Sequence, residues 1–222
     1  MNQMDKNTVS SENQLQGAGF VYFMNKEGKG KRVMFVGNSI TLHGINEGLG
    51  WLLHCGMAAS APEKDYVHLL AGKISEKYED AAFCICQVAS RERAYKNGSD
   101  VLKEYEEARN FGADIIVMRM IENCPGAEFD GETFRKEYKN LIDYLDGTGN
   151  AEIICTTGFW KHPGDGDIEI VAKDNGYGFV YLGDLGELDE MKAIGLFEHS
   201  GVANHPGDKG MEAIAERIFE QF

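Results

Sequence analysis

A chain of 222 residues, 43% of them hydrophobic, is long enough to build one α/β domain with a full core. A formal charge of -14 argues against nucleic acid and against an anionic membrane surface, both of which call for clustered Lys and Arg. No apolar run approaches the roughly 20 residues of a membrane-spanning helix.

Residues 1–17 are polar, carry no apolar stretch of the secretory kind, and read as loosely attached. Phe20 to Met24 (FVYFM) and the turn-forming NKEGKG at Asn25 to Gly30 suggest a short hairpin or edge strand. The division expected is therefore a polar N-terminal extension with a hairpin over 1–30, followed by one α/β domain over 31–222. The hairpin is also a candidate surface for a homo-oligomer. Cys55, Cys84, Cys86, Cys124 and Cys155 are odd in number and hold no CxxC pair. They read as small core hydrophobes in a reducing, cytoplasmic setting.

Lys31 and Arg32 lead into Val33 to Val36 and then Gly37-Asn38-Ser39, a buried parallel-type strand closed by a sharp turn. A Gly-rich loop with partial helix follows to Ser60. Asp65 to Tyr78 has apolar residues at 67, 69, 70, 74 and 78, the spacing of a helix with Asp65 as its cap. Strands are expected over Ala81–Val88, Asp114–Met120, Glu152–Thr156 and Phe179–Leu182. Helices are expected over Ser99–Phe111, Phe134–Leu145, Ile168–Asp174 and Gly210–Phe222. Strict alternation of the two implies right-handed crossovers. The predicted fold is a three-layer α/β/α sandwich, flavodoxin-like, around a five-stranded parallel sheet.

Ligands of such folds bind beyond the carboxyl ends of the strands. The first strand delivers Ser39 to that edge, the third ends in Arg119-Met-Ile-Glu122-Asn123, and a loop before the last helix brings in His205. A serine nucleophile needs a base to take its proton, and a neutral His suits this near pH 7. Acyl transfer also needs donors aimed at the developing oxyanion. The Ser39 N–H, the Asn123 amide and an N–H of Ala89 or Ser90 are candidates.

These residues resemble the SGNH hydrolases, the GDSL lipase and acylhydrolase family. GNSIT is similar to the family's opening motif, Glu122-Asn123 to its third, and His205-Pro206-Gly-Asp208-Lys-Gly210 to its last. The resemblance spans roughly residues 31–222. It implies a serine esterase of short acyl groups, with acetylated carbohydrate a frequent substrate and no metal or organic cofactor required. Three positions depart from the family pattern. The triad Asp, three residues before the His, is replaced by Val202. The Gly motif after the second strand is replaced by Val88-Ala-Ser-Arg-Glu, and the Gly two residues before Asn is Ile121. The expectation is a Ser39–His205 dyad, with the second His nitrogen held either by a backbone carbonyl or by a carboxylate, Glu122 or Glu198. For Glu122, pairing with Arg119 or Arg91 is the other reading.

Asp208 reads as a cap of the last helix. Trp160, after the fourth strand, and Trp51 are candidates to line an acyl or sugar pocket, with core packing as the alternative for each. The remaining histidines share no metal-binding spacing. Two other functions use the same residues: an acyltransferase, and a binding module that kept the fold after losing the triad Asp.

Overall fold

The structure, a computed structural model, describes residues 16–97 and 99–222. Its centre is a sheet of seven strands in the order β1-β2-β4-β3-β5-β6-β7. The strands are β1 (Gln16–Ala18), β2 (Val21–Met24), β3 (Arg32–Gly37), β4 (Ala82–Gln87), β5 (Ile115–Arg119), β6 (Glu152–Thr156) and β7 (Gly178–Val180). β3 to β7 are all parallel, and their order is that of a doubly wound sheet. The five parallel strands expected from the sequence are thus present, extended on one side by an antiparallel pair. β2 runs against β4, placing Tyr22 opposite Ile85, and β1 runs against β2. Residues 16 and 17, read from sequence as loose, are therefore part of the sheet. The rest of that expectation concerns residues 1–15, which lie outside the described residues.

Side chains alternate across β3 and divide the core. Met34 and Val36 face a layer with Phe134, Tyr138 and Ile168, whereas Val33 and Phe35 face one with Leu70, Ile74 and Ile214. The first layer is covered by α3 (Glu106–Phe111), α4 (Gly131–Leu145) and α5 (Asp165–Asn175), the second by α1 (Tyr66–Lys77) and α7 (Asp208–Phe219). Asp65 caps α1 as its position suggested, its Oδ1 accepting the His68 N–H at 2.7 Å. Its Oδ2 accepts the Gly56 N–H at 2.9 Å, so the cap also anchors the loop after Ser39.

Several elements differ from expectation. Ser99–Tyr105 is a 3-10 turn and only Glu106–Phe111 is α-helical. Two short helices, α2 (Ala89–Arg93) and α6 (Ser200–Ala203), have too few residues to show a period in the sequence. Gly207, not Asp208, is the N-cap of α7. Asp208 instead takes hydrogen bonds from the Ser60 N–H at 2.8 Å and the Ser60 hydroxyl at 2.6 Å. Among the described residues no helix is long and apolar enough to cross a membrane.

Candidate active site

The sheet register aligns the three strand ends that matter. Gly37 pairs with Gln87 on one side and Arg119 on the other, so the segments after β3, β4 and β5 leave the sheet side by side. Gly37 has no substitute here. A Cβ at that position would stand 1.9 Å from Thr41 Oγ1 and 2.7 Å from the Arg119 carbonyl. The chain then turns, the Asn38 carbonyl accepting from the N–H groups of Thr41 and Leu42, both at 2.9 Å. Ser39 is left half-buried at the top of the turn.

His205 reaches it from the far end of the chain. Its Nε2 lies 2.9 Å from Ser39 Oγ, and its Nδ1 lies 2.7 Å from the Gly201 carbonyl oxygen. A carbonyl only accepts, so Nδ1 carries the proton and Nε2 is left as the acceptor for the serine hydroxyl. Burial lowers the pKa of His205, against the opposing pull of the Gly201 hydrogen bond and the Glu122 charge, so the imidazole is neutral at pH 7.

The partner of Nδ1 is thus a backbone carbonyl, and the carboxylates considered for the task are elsewhere. Glu198 is exposed and makes no hydrogen bond to His205 among the described residues. Glu122 accepts from Arg119 Nη1 at 2.6 Å, the Phe159 N–H at 2.9 Å and Asn38 Nδ2 at 2.6 Å. Burial raises its pKa, but the Arg119 charge and these donors more than reverse that, and Glu122 sits below the ordinary carboxylate value. It acts on His205 through space only.

Val202, where the resembled SGNH pattern carries Asp, neither orients the His through its side chain nor lines a pocket. It is buried with Trp51, Leu53, Cys55, Met57, Ala58 and Ala193 in a small third core under the loop after Ser39. Trp51 is fully buried there, tilted against Phe197 with ring centres 5.9 Å apart, so it is a packing residue and not a pocket wall. This cluster fixes α6, whose Gly201 carbonyl meets His205. The loop is pinned from the other side by the Ala193 N–H to the His205 carbonyl at 2.9 Å and the Gly207 N–H to the Met191 carbonyl at 3.0 Å. Trp160 is half-buried and its ring stands perpendicular to that of His205, with centres 5.3 Å apart.

The oxyanion donors fare differently. The Ser39 N–H has no hydrogen-bond partner among the described residues. Asn123 is half-buried, donating from Nδ2 to Glu92 Oε2 at 2.6 Å and accepting at Oδ1 from Arg93 at 3.2 Å. The Ala89 N–H, expected to be a third donor, is occupied: Gln87 Oε1 accepts it at 3.1 Å. Ala89 opens α2, whose first N–H groups lack helical partners, and the Gln87 amide caps one of them.

Sequence reasoning missed a polar layer beneath the site. Asn38 is fully buried, with Oδ1 accepting from Arg119 Nη2 at 2.7 Å and Nδ2 shared between Glu122 and Glu92. Glu92 is fully buried, and its pKa is raised to about 7 by burial and by the Glu122 charge, against hydrogen bonds from Asn38 and Asn123. Its place, a carboxylate one helical turn past the end of the second strand, was visible in the sequence, but nothing in that spacing showed which groups it would meet.

No family model and no curated protein matches the chain. Solved structures do. A psychrotrophic esterase from Pseudoalteromonas sp., inhibited by monoethylphosphonate, matches with a TM-score of 0.54 and 12% identity over 86% of this chain and 95% of that one. A two-domain esterase active on acetylated mannans matches with a TM-score of 0.55 and 15% identity, over 89% of this chain and 50% of its own length. A family two carbohydrate esterase from Clostridium thermocellum, in complex with cellohexaose, gives a TM-score of 0.55 at 15% identity, over 86% of this chain and 63% of that one. The chain spans about half of the mannan esterase and most of the Pseudoalteromonas enzyme. It has the three-layer fold of these esterases, the fold that the SGNH-like motifs implied.

Proposed function

We propose that this protein is a serine esterase that removes short acyl groups, acetyl foremost, from a carbohydrate or a similar small alcohol. The observation that carries the reading is the pair of contacts made by His205: Nε2 at 2.9 Å from Ser39 Oγ and Nδ1 at 2.7 Å from the Gly201 carbonyl. Ser39 attacks the ester carbonyl while His205 takes its proton. The Ser39 N–H and the remaining Asn123 N–H hold the oxyanion. His205 then protonates the leaving alcohol, and a water repeats the cycle on the acyl-enzyme. The imidazolium has no bonded carboxylate, and the nearby Glu122 charge compensates in part. Carbohydrate is favoured because structural neighbours include an esterase active on acetylated mannans and a carbohydrate esterase in complex with cellohexaose, and because Trp160 puts a half-buried aromatic ring beside His205.

The test is p-nitrophenyl acetate hydrolysis together with fluorophosphonate labelling. Ser39→Ala is expected to lose both turnover and label. His205→Ala is expected to lose about 10³-fold or more in kcat. A wild-type protein that neither turns over short esters nor labels at Ser39 refutes the reading.

A further inference from the structure

α2 begins where β4 ends, and the Val88 N–H to the Gly37 carbonyl, at 2.6 Å, pins that start to the nucleophile strand. Glu92, one turn along, points inward. Its Oε1 accepts from Asn38 Nδ2 at 2.9 Å and from the Ile121 N–H at 2.5 Å, and its Oε2 accepts from Asn123 Nδ2 at 2.6 Å. One buried carboxylate therefore ties the residue before the nucleophile to the loop that carries Asn123.

An Asn side chain can turn over, exchanging its oxygen for its nitrogen with little change of shape. The neighbours of Asn123 forbid the exchange. An ionised carboxylate only accepts and a guanidinium only donates, so Nδ2 must face Glu92 and Oδ1 must face Arg93. The second N–H of Nδ2 has no partner among the described residues. All three donors on Glu92 are bound most strongly by the ionised form, and a proton on Oε2 would weaken the bond from Asn123 most directly.

We propose that Glu92 is a positioning residue of the oxyanion site: its carboxylate ties Asn123 to the nucleophile turn and holds the amide with an N–H, not its oxygen, toward the ester. This rests on the esterase reading. The charged and titratable groups facing Glu92 are Glu122, Arg119 and Cys124, from β5 and the segment after it, and Asn38 meets it from the turn after β3. With Glu92 raised to about 7 and His205 below its ordinary value, Glu92 takes up its proton first as the pH falls. The charge that holds Asn123 Nδ2 is then gone, and the amide is no longer fixed with its N–H toward the oxyanion.

The experiment measures kcat and KM for p-nitrophenyl acetate against pH in wild type, Glu92→Gln, Asn123→Ala and the double variant, with thermal unfolding recorded alongside. Glu92→Gln is expected to lose roughly 10²-fold in kcat at near-unchanged KM, and Asn123→Ala roughly 10²- to 10³-fold. The double variant should be no worse than Asn123→Ala alone. The wild-type acid limb near pH 7 should be missing from both single variants, leaving the His205 limb at lower pH. Asn123→Ala leaves the buried carboxylate in place, so it decides the question even where Glu92→Gln does not fold. A folded Glu92→Gln with wild-type kcat, losses that multiply in the double variant, or an Asn123→Ala enzyme that keeps the limb near pH 7 overturns the proposal. Any of these in an active wild-type background removes only the role of Glu92. A wild type without turnover or label removes the esterase reading and this one together.

Discussion

At the scale of single residues, the second nitrogen of His205 meets a backbone carbonyl and no acid. The Gly201 oxygen sets the His205 tautomer as well as a carboxylate does, but it brings no full charge to the imidazolium. Placing an acid at this position by Val202→Asp is therefore not expected to give His205 a carboxylate partner. The side chain at 202 is turned into the third core, against Trp51 and Leu53, where an unpaired carboxylate has no donor. The expected outcome is a stability loss of roughly 2–4 kcal/mol with no gain in kcat, read from urea midpoints and ester turnover. Ser39, Asn123 and His205 were legible because each follows a strand or precedes a helix at a motif spacing. Glu92, Gly201 and Gln87 were not, because their roles depend on which groups from distant segments they meet. Ala89 failed as a donor for the same reason: the competing acceptor, Gln87, is a side-chain contact that spacing does not reveal.

At the scale of elements, the loop after Ser39 matters more than its irregular sequence suggests. Its buried residues, Trp51 above all, hold α6 and so hold the Gly201 carbonyl. Trp51→Ala is expected to cost about 3–5 kcal/mol and to lower kcat in the folded fraction, whereas Trp160→Ala should raise KM for sugar acetates with less effect on stability. Paired urea denaturation and kinetics separate the two. The Asp65 cap of α1 supplies a pH signature of its own. Burial lowers the pKa of His68, but the Asp65 charge and hydrogen bond reverse this, and the folded value ends above the ordinary 6.5. A raised folded value means that the pair's stabilisation is fully present below pH 6.5 and is lost as the pH rises through the folded value. The stability margin of wild type over His68→Gln should therefore shrink as the pH is raised from mildly acidic to alkaline. A constant margin would refute the linkage. The cap and the period of α1 were readable from sequence, while α2 and α6, at five and four residues, were too short to show a period.

At the scale of the whole molecule, the two sides of the site are joined through the middle of the sheet. Arg119 is fully buried, and its guanidinium neutralises Glu122 and holds Asn38. Arg119→Met would leave Glu122 and Glu92 without their shared cation. It is expected to cost about 3–5 kcal/mol, measured by urea unfolding, and to disorder the turn around Ser39 that Asn38 supports. The alternation of apolar strands and amphipathic helices determined the layers, the parallel sheet and its carboxyl edge, because burial of periodic apolar faces is a local property written along the chain. The edge hairpin was only half visible, since β1 is three residues long and gains its order from pairing with β2. The sequence by itself thus determined the fold class, which strand ends would carry the serine and the amide, and that the loop before the last helix would carry the histidine. Only the tertiary structure decided what orients them: a carbonyl from α6 for His205, a buried carboxylate from α2 for Asn123 and a buried guanidinium for Asn38. Those choices depend on donors, acceptors and charges from remote segments meeting in a low-dielectric interior, where an unmatched partner is costly and a matched one fixes the geometry.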